Sequence, residues 1–233
     1  MIKMKTILAI DTATEACSVA LCHNDHQTVL NELSPRTHTQ RILPMVDELL
    51  QQAGISLKDV DALAFGRGPG SFTGVRVGVG VVQGLALGAE LLVIPVSNLL
   101  AMAEEAYQRL NKTEVIALID ARMNEVYFAQ FSRNSEGEWR EVIAEQVCSP
   151  EKAMSQIQLD RNAVVVGTGW AAYSQFSAAN LPLVISDITL PSAQFMLSLA
   201  EKALEKGLVK SALEIEPIYL RNEVTWKKLP HKQ

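Results

Sequence analysis

The sequence predicts an α/β protein built from two related halves. Buried strands alternate with amphipathic helices along the chain, which is the pattern of α/β folds. A buried strand that ends at Asp11 leads through a polar turn into a second strand, and the same order returns at Asp120. Because strand aligns with strand and turn with turn, we expect a duplicated fold. Each half combines a hairpin with further strands, so we expect two α/β lobes with mixed sheets.

The first half is predicted to contain five strands and three helices. The first helix carries its apolar side chains on one face, and Gly54 is its predicted stop. The second helix follows a Gly/Pro turn in which Ser71 is the predicted N-cap. The predicted strands are 6–10, 17–21, 27–33, 62–65 and 91–96, and the predicted helices are 39–53, 72–88 and 98–110.

The second half begins after residue 110 and repeats the order of strand, turn and hairpin. Its predicted strands are 115–119, 125–131 and 163–166, with a further strand and a short helix before the last of these. We therefore divide the chain into lobes 1–110 and 111–233. The helix near 192–206 and the tail are expected to pack back on the first lobe. Lys227 and Lys228 give the tail end a small positive charge.

Composition favours a soluble protein of the cytoplasm. The 233 residues are 48% hydrophobic with a mean hydropathy of +0.11, which is ample for a large core. A net charge of −5 argues against binding of nucleic acid by the isolated chain, because such binding relies on Lys and Arg to neutralise phosphates. The three cysteines have no metal-ligand spacing, and no signal peptide is recognised, so a reducing compartment is expected.

The second helix is the most informative segment, because it is apolar on nearly every side and carries five glycines in two four-residue series. A glycine costs a helix interior about 1 kcal/mol relative to alanine, and close approach of another backbone is the usual compensation. We expect one side to pack on its own sheet and the other on another chain. A membrane span over 77–96 has the right length, but Gln83, Glu90 and Pro95 interrupt it.

Six short motifs distributed over nearly the whole chain carry a family resemblance. They include Ile10-Asp11-Thr12-Ala13-Thr14 and Gly167-Thr168-Gly169-Trp170, with the others at 36–44, 66–76, 119–127 and 217–221. The duplicated strand and hairpin plan, with a late Val-Val-Val-Gly-x-Gly segment, resembles the actin, hexokinase and Hsp70 superfamily. Within it, the motifs together resemble the bacterial TsaB (YeaZ) family.

The resemblance implies a duplicated actin-like ATPase (ribonuclease H-like) fold and a part in forming N6-threonylcarbamoyladenosine (t6A) next to the tRNA anticodon. It implies a non-catalytic scaffold that organises a catalytic paralogue, TsaD, together with a TsaE-like P-loop ATPase. It also implies a homodimer in isolation, and contact with tRNA only through the complex. Helices 39–53 and 72–88 would form the partner interface in the first lobe. The residues predicted for that interface are Ile42, Val46, Val75, Gly78, Val79 and Val82.

The alternative function is an ATP-dependent phosphotransferase or ATPase that uses Asp11 and Asp120. An Asp at a strand end holds a magnesium-bound water in such enzymes, but it also accepts backbone N–H bonds within its own turn. The Gly-rich turn matches neither a P-loop nor a dinucleotide fingerprint, and Glu15 in the first turn would repel phosphates. We expect no catalytic residue and no cofactor in the chain alone, and a nucleotide held between the two subunits stays open.

No metal site is predicted. Proteins like TsaD place a His-x-x-x-His pair after the strand that follows the Gly-rich helix, where two histidines on one helix face share a metal. Residues 96–102 of this chain contain no histidine. His23 and His26 lie in a polar turn without further ligands, and neither His38 nor His231 completes a set.

Overall fold

The computed structural model describes residues 5–160 and 162–221, so Lys227 and Lys228 lie outside the described residues. The strands of the first lobe are β1 (Ile7–Asp11), β2 (Ala16–His23), β3 (His26–Leu33), β4 (Ala62–Gly66) and β5 (Leu92–Val96). Their order in the sheet is β3-β2-β1-β4-β5. The first three strands pair antiparallel, whereas β4 runs parallel to both β1 and β5.

The second lobe repeats this plan strand for strand. Its strands are β6 (Glu114–Asp120), β7 (Val126–Arg133), β8 (Trp139–Cys148), β9 (Val164–Val166) and β10 (Val184–Ile185). The order β8-β7-β6-β9-β10 is the order of the first sheet, with the same antiparallel and parallel pairs. The predicted duplication and the mixed sheets are confirmed.

Local capping signals mark several of the helix ends. They are α1 (His38–Ala53), α2 (Phe72–Ala89), α3 (Asn98–Leu110), α4 (Pro150–Gln156), α5 (Gly169–Ala172), α6 (Ser174–Ala178) and α7 (Ala193–Glu205). Gly54 ends α1 in the left-handed conformation at φ 67°, which a residue without Cβ adopts freely. The Ser71 hydroxyl accepts a hydrogen bond from the Gly74 N–H at 3.0 Å. Both predicted caps are confirmed.

Each sheet is covered on one face by a helix that comes from the other half of the chain. In β1, Leu8 packs towards α1 and α2, whereas its neighbour Ile7 packs towards α7, as the two-residue period of a strand requires. In exchange, Leu99 and Met102 of α3 pack on the second sheet. The structure thus places α7, from the second half, on the first lobe.

The Gly-rich helix α2 is a core helix on one side only. By length and composition alone it is apolar enough to cross a membrane, and 33% of that window is buried. Its buried side chains pack against the first sheet, which is the use that a soluble α/β lobe makes of such a helix. They are Val75, Val79, Val82 and Ala86.

Two glycines of α2 face opposite environments and should respond oppositely to alanine. A Cβ on Gly74 would collide with the carbonyl oxygen of Thr12, whereas a Cβ on Gly80 would meet nothing within 4 Å. We expect Gly74→Ala to lower the free energy of unfolding by about 1–3 kcal/mol through overpacking. Gly80→Ala should raise it by about 1 kcal/mol. Urea unfolding at protein concentrations that keep the chain monomeric measures both, and equal effects would contradict this orientation of α2.

Candidate functional site

Both hairpin turns, at residues 13–15 and 120–122, line a cleft between the lobes. Asp11, at the end of β1, is almost fully buried and does not line that cleft. Its Oδ1 accepts hydrogen bonds from Asn98 Nδ2 at 2.7 Å and from the Ala13 N–H at 3.3 Å. Asn98 in turn accepts from the Gly68 N–H at 2.8 Å. Asp11 therefore ties its own turn to the start of α3 and to the Gly-rich turn.

Burial dominates the electrostatics of Asp11. Removal from water raises the pKa of its carboxyl from 3.8 to about 6, although hydrogen bonds from Asn98 and Ala13 lower it in part. The second oxygen, Oδ2, is buried and has no hydrogen-bond partner among the described residues. A carboxylate enclosed in this way is held by protein and does not face the open part of the cleft, since the cavity there is lined by other residues.

The Gly-rich turn lies directly against the backbone of the first hairpin turn. The Ser71 N–H donates to the Ala13 carbonyl at 2.7 Å, and the Thr12 hydroxyl donates to the Gly74 carbonyl at 2.7 Å. A Cβ on Gly70 would collide with the Ala13 carbonyl oxygen. These glycines therefore admit the chain's own backbone, in the space where a phosphate-binding loop would admit a ligand.

The second hairpin turn is closed by side chains. Asp120 Oδ1 accepts from the Arg122 N–H at 2.8 Å and from the Tyr173 hydroxyl at 2.7 Å. Burial, with Asp120 beside it, raises the pKa of Tyr173 to about 12. The Thr168 hydroxyl oxygen accepts a hydrogen bond from the Asp120 N–H at 3.0 Å. Like Asp11, Asp120 accepts a backbone N–H from two residues further along its turn.

Ion pairs join the two lobes on both sides of the cleft. Arg122 in the second hairpin turn lies 3.5 Å from Glu15 in the first, and both side chains are largely exposed. Arg67 lies 3.0 Å from Glu145, and both of these side chains are largely buried. Glu15 is thus paired across the cleft with an arginine, whose charge offsets the repulsion that Glu15 would exert on a phosphate.

The end of the described chain also bridges the lobes. The Ile218 N–H donates to the Arg67 carbonyl at 3.1 Å in the first lobe. Three residues later, Arg221 donates to the Ala121 carbonyl at 3.1 Å and to Glu125 at 3.1 Å in the second lobe. Two cavities, of about 530 and 280 Å³, flank this segment and share Phe72, Tyr127 and Arg221 in their linings.

Residues suited to metal or nucleophilic chemistry are scattered. Within residues 5–160 and 162–221, no three His, Cys, Asp or Glu side chains lie close enough together to hold a metal ion. Cys17 is a core residue, and burial raises the pKa of its thiol to about 11. A thiol with that pKa is protonated at neutral pH and is a poor nucleophile.

All six residues predicted for the partner interface lie inside the first lobe. The largest exposed fraction among their side chains is 8%, at Val79, and a Cβ on Gly78 would lie only 2.8 Å from the Thr12 hydroxyl oxygen. A partner seated on α1 and α2 would therefore contact other residues. The six buried residues are Ile42, Val46, Val75, Gly78, Val79 and Val82.

The outer face of α2, defined by Thr73, Arg76, Gly80, Gly84, Leu87 and Gly88, is exposed. A Cβ on Gly80, Gly84 or Gly88 would meet nothing within 4 Å, so nothing within the described part of the chain requires glycine at these three positions. On α1, Leu43 is 49% exposed. The exposed surface of α2 therefore carries glycines, with the exposed leucines Leu87 on α2 and Leu43 on α1.

Two features of the site were not predicted from the sequence. Asn98, which holds Asp11, is fully buried at the start of α3, and its only local signal is its position just after the Ser97 cap. The other feature is a stack of Arg76 on Phe72 and Tyr219 at the mouth of the larger cavity. The contacts of Asn98 with Asp11 and of Arg76 with Tyr219 join residues distant in sequence, so no local pattern predicts them. Phe72 and Arg76 are one helical turn apart, and that spacing was the one local signal for the stack.

Comparisons with known proteins agree with this architecture. A family model described as tRNA N6-adenosine threonylcarbamoyltransferase, TsaD, matches residues 13–229. The tRNA threonylcarbamoyladenosine biosynthesis protein TsaB of Haemophilus influenzae is 62% identical to the chain, with 98% of each protein covered. The protein of the same name from Escherichia coli is 50% identical, with 97% of this chain and 99% of that protein covered.

A solved structure gives the same result. The structure of YeaZ from Pseudomonas aeruginosa is 44% identical and superposes with a TM-score of 0.86, covering 93% of this chain and 100% of that one. With the repeated sheet order, this match and the family model confirm the duplicated actin-like fold. The chain belongs to the TsaB (YeaZ) family.

Proposed function

We propose that the chain is a non-catalytic subunit required for threonylcarbamoylation of the tRNA adenosine next to the anticodon. It acts in the cytoplasm by binding and organising a catalytic paralogue of the TsaD type. The name of its relatives, tRNA threonylcarbamoyladenosine biosynthesis protein, supports a role in this pathway. The match to the family model of the transferase supports a paralogous relation to the catalytic subunit.

The closed first hairpin turn carries the non-catalytic assignment. The Ser71 N–H, at the start of α2, is a donor that a phosphate would need, and it is taken by the Ala13 carbonyl. The carboxylate of Asp11 is directed into a hydrogen bond with Asn98. Adjustment of single side chains would not open this site, because backbone atoms fill it.

The outer face of α2 supports the docking role. Three glycines four residues apart, each with open space outside it, lower helix stability by about 1 kcal/mol each relative to alanine. Such a cost is offset when another helix approaches closely enough to contact the bare backbone. In isolation the same face meets a second copy of the chain, which gives a homodimer.

The remaining partners follow from charge and pathway. A net charge of −5 leaves little electrostatic attraction for tRNA, so the chain meets tRNA only through the complex. A TsaE-like P-loop ATPase would supply the nucleotide chemistry that this chain lacks. The test is incorporation of labelled threonine into unmodified tRNA by the reconstituted partners, with and without this chain. Equal incorporation of threonine with and without the chain would contradict the proposal.

A calorimetric titration of the isolated chain with Mg-ATP should detect no binding. The physical reason is the occupied hairpin turn, which leaves no set of free backbone N–H donors for phosphates. A matched titration of the complex with the catalytic paralogue detects a nucleotide held between the subunits. Stoichiometric binding to the isolated chain that disappears in Asp11→Ala would instead favour the phosphotransferase or ATPase.

A further inference from the structure

Arg76 forms a stack with two aromatic rings at the N-terminal end of α2. Its guanidinium carbon lies 3.3 Å from the centre of the Phe72 ring and 5.2 Å from that of Tyr219. The two rings are themselves 5.4 Å apart, at an interplanar angle of 35°. Contact with the aromatic face fixes the plane of the guanidinium before any ligand arrives.

The charge of Arg76 has no counter-ion in the described part of the chain. The other arginines around the cleft are paired, Arg122 with Glu15 and Arg221 with Glu125, whereas Arg76 contacts no carboxylate and donates no hydrogen bond there. A guanidinium that lies over a ring still points its N–H donors sideways, in the plane of its own atoms. Those donors suit a planar, bidentate acceptor.

The stack stands at the edge of the 530 Å³ cavity. The cavity walls are mainly apolar. Two of the side chains that line it remain accessible to solvent, since Phe72 is 55% and Tyr219 is 38% exposed. Arg76 also lies one turn before Gly80 in the row of exposed residues along α2. The cavity and the outer face of α2 therefore form one continuous surface.

We propose that Arg76 receives an Asp or Glu side chain of the protein subunit that packs on α2, while an apolar neighbour of that residue fills the cavity. This inference rests on the proposed function, in which the partner is the catalytic paralogue. The mainly apolar walls suit a protein segment. A phosphate group would pair with Arg76 but would leave the apolar walls of the cavity with no ligand surface to pack on.

Charge reversal at Arg76 is the direct test. Binding of purified catalytic paralogue is measured by calorimetry for the parent chain, Arg76→Glu, Arg76→Gln and Arg76→Lys, at low and high NaCl. Arg76→Glu and Arg76→Gln should weaken binding by about tenfold or more, with less dependence on salt. Arg76→Lys should fall between, because it keeps the charge and loses the planar fork. Arg140→Glu, exposed on β8, is the matched control and should bind like the parent.

Leucine at Gly84 separates this inference from the proposed function. If Gly84→Leu loses binding while Arg76→Glu binds like the parent, Arg76 is not the receptor, although docking on α2 stands. If both variants bind like the parent, the inference and the docking proposal both fail. Urea unfolding of each variant confirms that a lost affinity reflects the surface. Loss of binding in Arg76→Glu that is fully restored by Arg76→Gln would also overturn the inference, because repulsion alone would then explain it.

Discussion

Leucine at Gly80 and Gly84 together should give a chain that is more stable than the parent and inactive in tRNA modification. Both positions lie on the outer face of α2, where an added side chain meets nothing. Replacing two helical glycines should raise the free energy of unfolding of the monomer by about 1–2 kcal/mol. The same two side chains would hold a partner helix away from the backbone, so close docking would be lost.

Three measurements on the double variant test this. Urea unfolding gives the stability, calorimetry gives the affinity for the catalytic paralogue, and labelled threonine reports modification. The matched control is Glu201→Leu with Glu205→Leu, which adds two exposed leucines with the same spacing on α7. The control should associate and support modification normally. Normal association of the glycine variant would show that the partner binds elsewhere.

The second large effect is expected at Asp11, where Asn should stabilise the chain at neutral pH. The folded state holds the proton of Asp11 more tightly than the unfolded state does, because burial raises the carboxyl pKa from 3.8 to about 6. The contribution of Asp11 to the free energy of unfolding therefore falls as pH rises between these values and is constant above them. A shift of this size corresponds to at most about 3 kcal/mol.

Asp11→Asn removes the charge and keeps an oxygen that accepts from Asn98 and Ala13. Its unfolding free energy should match that of the parent near pH 4 and exceed it by about 1–3 kcal/mol at pH 7.5. Denaturant unfolding across this pH range measures the difference, with Asp25→Asn in the exposed β2–β3 turn as the control for loss of one carboxylate. Threonine incorporation should persist, and its loss in a stable Asp11→Asn chain would contradict the non-catalytic assignment.

Local signals predicted the elements well. The helix expected at 98–110 is α3 (Asn98–Leu110), because Ser97 caps its start and Asn111 ends it in the left-handed conformation. The two-residue strand β10 (Val184–Ile185) was not predicted, since it is exposed and too short to show a period. Hydrophobic patterning therefore predicted correctly whether a segment is a helix or a strand when the segment was long enough to show a period.

The site was predictable in plan and not in detail. The turn role of Asp11 and Asp120 follows from an Asp at a strand end, and both side chains accept the expected N–H. The partner of Asp11, Asn98, is 87 residues away in sequence, beyond any local pattern. For α2, an apolar residue on every side of the helix leaves the direction of the sheet undetermined, so Val79 could not be distinguished as a core residue.

The exchange of α3 and α7 between the lobes has a consequence for synthesis on the ribosome. The face of the first sheet that carries Ile7 is completed by α7, whose residues 193–205 are translated long after the strands it covers. Until then, that apolar face stays open to chaperones or to other nascent chains. The first lobe is therefore translated before the second, yet its core is completed only when part of the second half has been made.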